Sequence, residues 1–410
     1  MALQNSQQLT ILCLASLYVG NTFIRECHRL GHKVFLITKE RTMKDDWDRE
    51  VVQDLIVMPN SADTTLYIDA ASYLSRQNRF SAVVALHEFD VLTAAFIREH
   101  LNIAGAELSQ VRFFRDKLAM RLESHKAGIR VPSFTSLANY QDVKEFTDKI
   151  PSPWMLKPRA NAGGIGIKKI KSSDELWAMI GELENRPLFH ERPSYYLLER
   201  YIQGDVYHVD SLLHRGKVVF SSASRYSRPP FNIYEKGGIF SSCIIKHNSK
   251  EEKQLFKLNR EVVAVLGLKN GPAHTEFIRS AEDGHFYFLE MAARVGGANI
   301  AETCEAAYGI NLWAEWANIE TESQSHPYKL ETKFKDYAGV VISLARQEWP
   351  DTSSFNDKEM VQAINKRFHV GLILRSEKQE RVAALIKDYE KRIEEEFATS
   401  APPIERPEEL

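Results

Sequence analysis

Residues 273–297, AHTEFIRSAEDGHFYFLEMAARVGG, read as a β-hairpin that runs on into a glycine turn. Two stretches rich in aromatic and β-branched residues flank Glu282-Asp283-Gly284, and a three-residue loop with Gly last is a favoured hairpin connection. With Ala281 and His285 flanking that loop, Glu276 lies opposite Glu290. Side chains alternate along a strand, so His274, Glu276, Glu290, Ala292 and Arg294 then share one face. A two-residue Asp283-Gly284 turn would instead put the glutamates on opposite faces. Like charges face to face repel unless something positive lies between them. A divalent ion such as Mg2+, which takes a few carboxylates plus phosphate oxygens, supplies that charge. A solvated pair on an exposed sheet face is the plain alternative.

Working outward, Arg294-Val295-Gly296-Gly297-Ala298-Asn299 leads into a helix, whose first backbone N–H groups can bind an anion. Upstream, Tyr196–Arg200 reads as a strand ending at the turn Tyr201-Ile202-Gln203-Gly204, a place where backbone groups can meet a flat base edge-on. His208-Val209-Asp210 follows as a ribose-facing candidate, although a lone His is more often structural. Further upstream, the strand Pro153–Lys157 enters the loop Lys157–Ile167, which carries Gly163, Gly164 and Gly166. Glycines let a backbone approach phosphate closely, and Lys157 adds a fixed charge; an ordinary hairpin loop fits as well. No G-K-[ST] follows, so this is not a P-loop. The segment Arg115–Ala127 reads as a helix stopped by Gly128. Ser224–Ser242, with Arg225, Tyr226 and Gly237-Gly238, is either a cover over a substrate or a solvated loop.

The first hundred residues alternate strand and helix: strands at Leu9–Ser16, Lys33–Thr38 and Ala82–Leu86, a helix capped by Asn21, and another over Asp90–His100. That succession predicts a parallel, doubly wound sheet. His87 and Glu88 stand just past a strand end, where open α/β sheets bind ligands. After Thr332 the reading is strand Tyr337–Leu344, helix Asp357–Asn365, strand Phe368–Leu374 and helix Glu377–Phe397. A Pro/Glu-rich tail, 400–410, is expected to be disordered.

The 410 residues are 44% hydrophobic and 26% charged, which excludes a disordered or fibrous chain. Lys+Arg at 53 against Asp+Glu at 55 gives a net charge of −2, with no general pull toward nucleic acid or anionic membrane. No apolar run approaches the ~20 residues of a membrane helix. No basic stretch precedes Leu9–Ala15, so that segment reads as a strand and not a signal peptide. Cys13, Cys27, Cys243 and Cys304 form no C-x-x-C pair and read as thiols of a reducing cytoplasm. A homodimer is expected on base rate alone.

Taken in order, Arg115-Asp116-Lys117-Leu118, the Lys157 loop, Glu199-Arg200-Tyr201-Ile202, Glu276, Glu290 and Arg294-Val295-Gly296-Gly297 resemble the ATP-grasp family over about 110–300. The chain looks closest to carboxylate–amine ligases of the amino-acid and dipeptide type, and is similar motif by motif to biotin carboxylase. The resemblance implies an α/β and α+β chain: a Rossmann-like domain (1–109), an ATP-grasp domain (110–320, lobes 110–194 and 195–320) and a small C-terminal α+β subdomain (321–399). It implies that Lys117 and Lys157 neutralise ATP phosphates and that Gly163 and Gly164 close over them. The backbone of Glu199 and Ile202 would read adenine between Met155 and Leu289, with His208 at the ribose. Glu276 and Glu290 would hold Mg2+, as two ions, with Mn2+ as an alternative. Arg294 would stabilise the moving phosphoryl group, and Gly297 and Arg225 would join it in binding the substrate.

The implied reaction is ADP-forming ligation of a small-molecule carboxylate, an amino acid's, to an amine through an acyl phosphate. Its rivals are a carboxyphosphate-forming, biotin-carboxylase-like enzyme and a nucleotide-binding regulatory protein without turnover. Two positions depart from the family pattern. Ala292 stands where many relatives have Asn in E-x-N-x-R, and His274, opposite it, is expected to fill the space, itself or through a water. Val206 stands where many relatives have an acid, for which Asp205 or Asp210 can substitute.

Overall fold

The computed structural model describes residues 8–231, 233, 238–324, 327–332 and 334–401. Three sheets organise them. Strands β1 (Thr10–Ala15), β2 (Lys33–Lys39), β3 (Asp54–Met58) and β4 (Ala82–Ala85) form a parallel sheet in the order β3-β2-β1-β4. The expected parallel α/β unit is therefore present, with β3 and the helix Thr64–Ser75 falling between the expected elements. All six residues of β1 except the first are buried, as a strand covered on both faces requires. Asn21 does not cap the first helix but begins it. The cap position is Gly20, at φ 88°, where a Cβ would come within 2.8 Å of Leu86. The close approach of that turn to the β4 end excludes a side chain, and Asn21 instead donates to Tyr18 Oη and the Asp46 carbonyl.

A small antiparallel sheet, β5-β8-β6-β7, is built from β5 (Phe134–Ser136), β6 (Trp154–Pro158), β7 (Lys168–Ile170) and β8 (Tyr196–Arg200). Leu156, Ile170, Leu198 and Trp154 pack from it onto the helices Tyr140–Lys149 and Ser173–Glu184 through Val143 and Leu176. The third sheet has nine strands. Its path is β13-β12-β9-β10-β11-β14-β16-β15, with β17 beside β14. Those strands are β9 (Gly204–His214), β10 (Lys217–Tyr226), β11 (Phe240–Ile244), β12 (Gly271–Ser280), β13 (Phe286–Ala292), β14 (Tyr337–Ala345), β15 (Met360–Ala363), β16 (His369–Ser376) and β17 (Ala398–Thr399). The segment after 321 thus adds its strands to the sheet that carries the hairpin.

The hairpin pairs Glu276 with Glu290 and His274 with Ala292, by a route the sequence did not indicate. Ser280 N donates to the His285 carbonyl, so the loop is the four residues 281–284, with Gly284 at φ 70°. Near the turn the register is one residue off, with Ile278 opposite Tyr287. An irregularity between Glu276 and Phe277 restores it. Asp357–Asn365 is not a helix: Met360–Ala363 forms edge strand β15 on β16. Its charged, helix-favouring composition gives way to the open edge of a neighbouring strand. Of the expected disordered tail, 402–410 lies outside the described residues, as does Gly237 of the 224–242 loop. No described helix is long and apolar enough to cross a membrane.

Candidate active site

A cavity of about 470 Å³ opens between the two antiparallel sheets, with Glu88 from the turn after β4 at one end. Its lining includes Lys117, Met155, Lys157, Gly163, Gly164, Glu199, Ile202, Glu276, Leu289, Glu290, Arg294 and Gly297. Twelve positions scattered over 180 residues of sequence are thereby brought to one space.

The small-lobe wall starts at the helix Lys117–Lys126. Asp116 caps it by accepting from Leu118 N and Ala119 N at 3.0 and 3.3 Å. The same carboxylate accepts from Arg159 Nε at 3.0 Å, which ties the helix start to the glycine loop. Lys117 N donates to the Arg159 carbonyl and its Nζ to the Asn161 carbonyl. The loop's three glycines, Gly163, Gly164 and Gly166, all have positive φ, which other residues rarely adopt. Lys157 leaves β6 toward the cavity and meets Glu199 of β8 at 2.6 Å. Arg121, fully buried, holds the other oxygen of Glu199 at 2.6 Å. Burial favours protonation of Glu199, but the two cations overcome it and hold its carboxyl below the usual range.

Opposite stands the large-lobe wall. Glu290 pairs with Lys117 at 2.6 Å. Glu276 accepts from Tyr226 Oη at 2.9 Å and lies 3.5 Å from His274 Nε2. His274 Nδ1 is 2.8 Å from Asp210, which also holds His208 Nδ1 at 2.5 Å. Burial opposes charge on His274, yet Asp210 and Glu276 raise it to about 9.

At the far end, Arg294 Nε donates to Glu88 at 2.9 Å, while Arg115 donates Nη1 to the other oxygen of Glu88 and Nη2 to the Ala160 carbonyl. Burial alone would raise the Glu88 carboxyl; Arg115 and Arg294 bring it down to about 2. Burial, and next Arg294, lower its neighbour His87 to about 3, so that ring is neutral. The following turn carries Ala298 and Asn299 at φ 51° and 60°, a strained entry to the helix Ile300–Tyr308 at the cavity rim.

Two expected positions lie elsewhere. His208 does not line the cavity: it is buried between Asp210 and Ser242, whose Oγ is 2.6 Å from Nε2. Arg225 points to solvent, 54% exposed, beside Asp205 at 3.6 Å. Alternation along β10 explains it, because the neighbouring Tyr226 takes the inward face. Arg121, behind Glu199, is the residue the sequence reading passed over; Tyr226 and Arg115 were named without a role, and Glu88 was given little weight. A helical spacing of Lys117, Met120, Arg121 and Ser124 on one face could have flagged Arg121.

An ATP-grasp domain model matches residues 150–302, and an ATP-grasp N-terminal domain model matches 24–105. The chain is 26% identical over 266 residues to an L-arginine-specific L-amino acid ligase of Bacillus subtilis, covering 64% of this chain and 63% of that one. It is 22% identical to an alanine–anticapsin ligase of the same species over 56% of this chain and 52% of that one. It thus spans between half and two thirds of these relatives. Among solved structures, an L-amino acid ligase from Bacillus licheniformis superposes with a TM-score of 0.75 at 19% identity, covering 95% of this chain and 98% of that one. The biotin carboxylase domain of a Hydrogenobacter thermophilus 2-oxoglutarate carboxylase does so at 0.71 and 16% identity, covering 95% and 90%.

Proposed function

We propose that this chain, which carries an ATP-grasp domain behind an ATP-grasp N-terminal domain, is an ADP-forming ligase joining the carboxylate of an amino acid to an amine. One observation carries the reading. Two lysines, two facing glutamates and a half-buried arginine line a single cavity, the charge set that phosphoryl transfer calls for. In this reading adenine lies at the turn after β8, against backbone groups of Glu199 and Ile202 and between Met155 and Leu289. Lys117 and Lys157 meet the phosphates, and the backbone of Gly163 and Gly164 covers them.

Glu276 and Glu290 offer hard carboxylate oxygens, a donor set that fits Mg2+ or Mn2+, and the reading takes two ions. Bound there, such ions would neutralise phosphate charge and hold the phosphate oxygens in place. The protein's own part is positioning and electrostatics. A substrate carboxylate oxygen attacks the γ-phosphorus in line, the bond to ADP breaks, and Arg294 faces the equatorial charge. Glu88 fixes the direction of that guanidinium. The amine then attacks the acyl carbon. Phosphate departs with the amine's proton, leaving an amide. Exclusion of water from the loaded cavity would protect the acyl phosphate in the interval. Arg294 and Gly297 are the substrate contacts of this reading; Tyr226 replaces Arg225 among them. The four free cysteines, three of them buried, suit a reducing cytoplasm.

The test is phosphate release from ATP and Mg2+ across pairs of amino acids. Release that requires an acid–amine pair supports the reading. Release driven by bicarbonate would support carboxyphosphate formation instead, and silence with every pair would count against turnover. Glu290→Ala should lower kcat on the order of a thousandfold, the scale of several kcal/mol of lost charge stabilisation, with the melting temperature retained. A rate near that of the unaltered protein would remove Glu290 from the metal site.

A further inference from the structure

We propose that His274 is a nitrogen ligand of the divalent ion, backed by Asp210; this rests on the ligase reading above. His274 projects from β12 on the face of Glu276 and Glu290 and lines the cavity. Its Nδ1 lies 2.8 Å from Asp210 Oδ1. A carboxylate only accepts, so Nδ1 carries hydrogen; Nε2 faces the cavity beside Glu276, and the proton it holds there would leave when an ion binds. Metal-binding imidazoles are oriented in this manner, by a carboxylate on the nitrogen away from the ion.

Nε2 is 3.5 Å from Glu276 Oε1 and 3.3 Å from Tyr226 Oη. Tyr226 has a single proton, and it goes to Glu276 at 2.9 Å. The hydroxyl beside Nε2 is therefore not its donor. Two donors bound to one ion at about 2.1 Å stand roughly 3.0 to 3.5 Å apart for angles from square to tetrahedral. The His274–Glu276 separation falls in that range. Across the ladder stands Ala292, whose methyl group supplies no competing donor.

The ring has little freedom to turn away. Asp210 is held at 2.5 Å by His208, and His208 at 2.6 Å by Ser242, so the support crosses β12, β9 and β11. Gly296 seals it from above: a Cβ there would stand 2.7 Å from Asp210 Oδ1 and 3.1 Å from His274 Nδ1.

His208, Asp210 and His274 also cluster closely enough to enclose an ion among themselves. Their bonding argues against it. Asp210 already joins both Nδ1 atoms, and the remaining nitrogen of His208 is on Ser242. An ion inside the trio would break both Asp210 contacts, whereas one on the cavity side at His274 Nε2 breaks neither. A nitrogen donor also shifts preference from Mg2+ toward Mn2+ and later first-row ions.

The experiment uses the full chain with Mn2+ and ADP, grown with 15N-histidine, and pulsed EPR of the bound Mn2+. We expect a directly bonded nitrogen coupling that changes isotope with the histidine label, which separates it from adenine nitrogen. His274→Gln should lose that coupling while still binding Mn2+. Asp210→Asn should weaken Mn2+ binding by about tenfold to a hundredfold. Bound Mn2+ with no histidine coupling in the unaltered protein would overturn the inference and leave the ligase reading standing. A coupling that survives in His274→Gln would overturn it too. Failure of Mn2+–ADP to bind at all would overturn both.

Discussion

Glu199 and Glu290 face the same cavity, and each holds a lysine at 2.6 Å. Their surroundings differ. Glu199 is 1% exposed and shares a second, fully buried cation, Arg121. Glu290 is 30% exposed, with Lys117 as its ion-pair partner. A carboxylate closed in between two cations cannot change partners without stranding a charge in a dry interior. A carboxylate with one cation at an open cavity edge can release it when phosphate and metal arrive. The first arrangement builds the wall; in the proposed reading, the second keeps two charges neutralised until phosphate and metal replace each partner.

The contrast can be broken in three places. Arg121→Met should have the largest effect, about 3–5 kcal/mol of stability, because Glu199 is left buried with half its counter-charge. Denaturant unfolding measures it, and a cost under about 1 kcal/mol would mean that Glu199 is as free as Glu290. Next is Arg294→Lys. An ammonium cannot replace the fork that reaches Glu88 and that the proposed mechanism sets against the phosphoryl group. We expect kcat to fall about a hundredfold with ADP affinity retained in calorimetry; unchanged kcat would take Arg294 out of the chemical step. The smallest effect on the fold is expected for Lys117→Met, about 1 kcal/mol or less, since its partner sits at the solvent edge. The same variant should bind ADP about tenfold more weakly. A large loss of stability with intact ADP binding would reverse the roles assigned to the two lysines.

The hairpin was legible because period-two alternation and a Gly-bearing turn leave few registers. Even so, the facing of Glu276 and Glu290 depends on an irregularity at Phe277 that no local signal marks. The lysines and the glycine loop were legible as motifs. Arg121 was not, because an arginine within a helix reads as solvated until a carboxylate is found at its tip. Glu88 was obscured by distance: its partner Arg294 is 206 residues away, so the local pattern supports only the start of a helix. His208 misled in the other direction, since its ring turns to Asp210 within its own strand and not to the cavity. Met360–Ala363 shows the limit of composition, because whether an edge strand forms depends on the neighbour waiting for it.

The continuity of the nine-stranded sheet bears on how this molecule can be shortened. A fragment ending at residue 320 would contain every described residue lining the cavity and would look complete on a motif map. It would also strip β14 from β11, leaving the backbone amides and carbonyls of Phe240–Cys243 bare along an edge. Naked edges of this kind recruit other chains. Ser242, which anchors the histidine–aspartate support, sits on that edge. Trimming the C-terminus would therefore leave a minimal version prone to clumping, with the His274 ring loosened from behind.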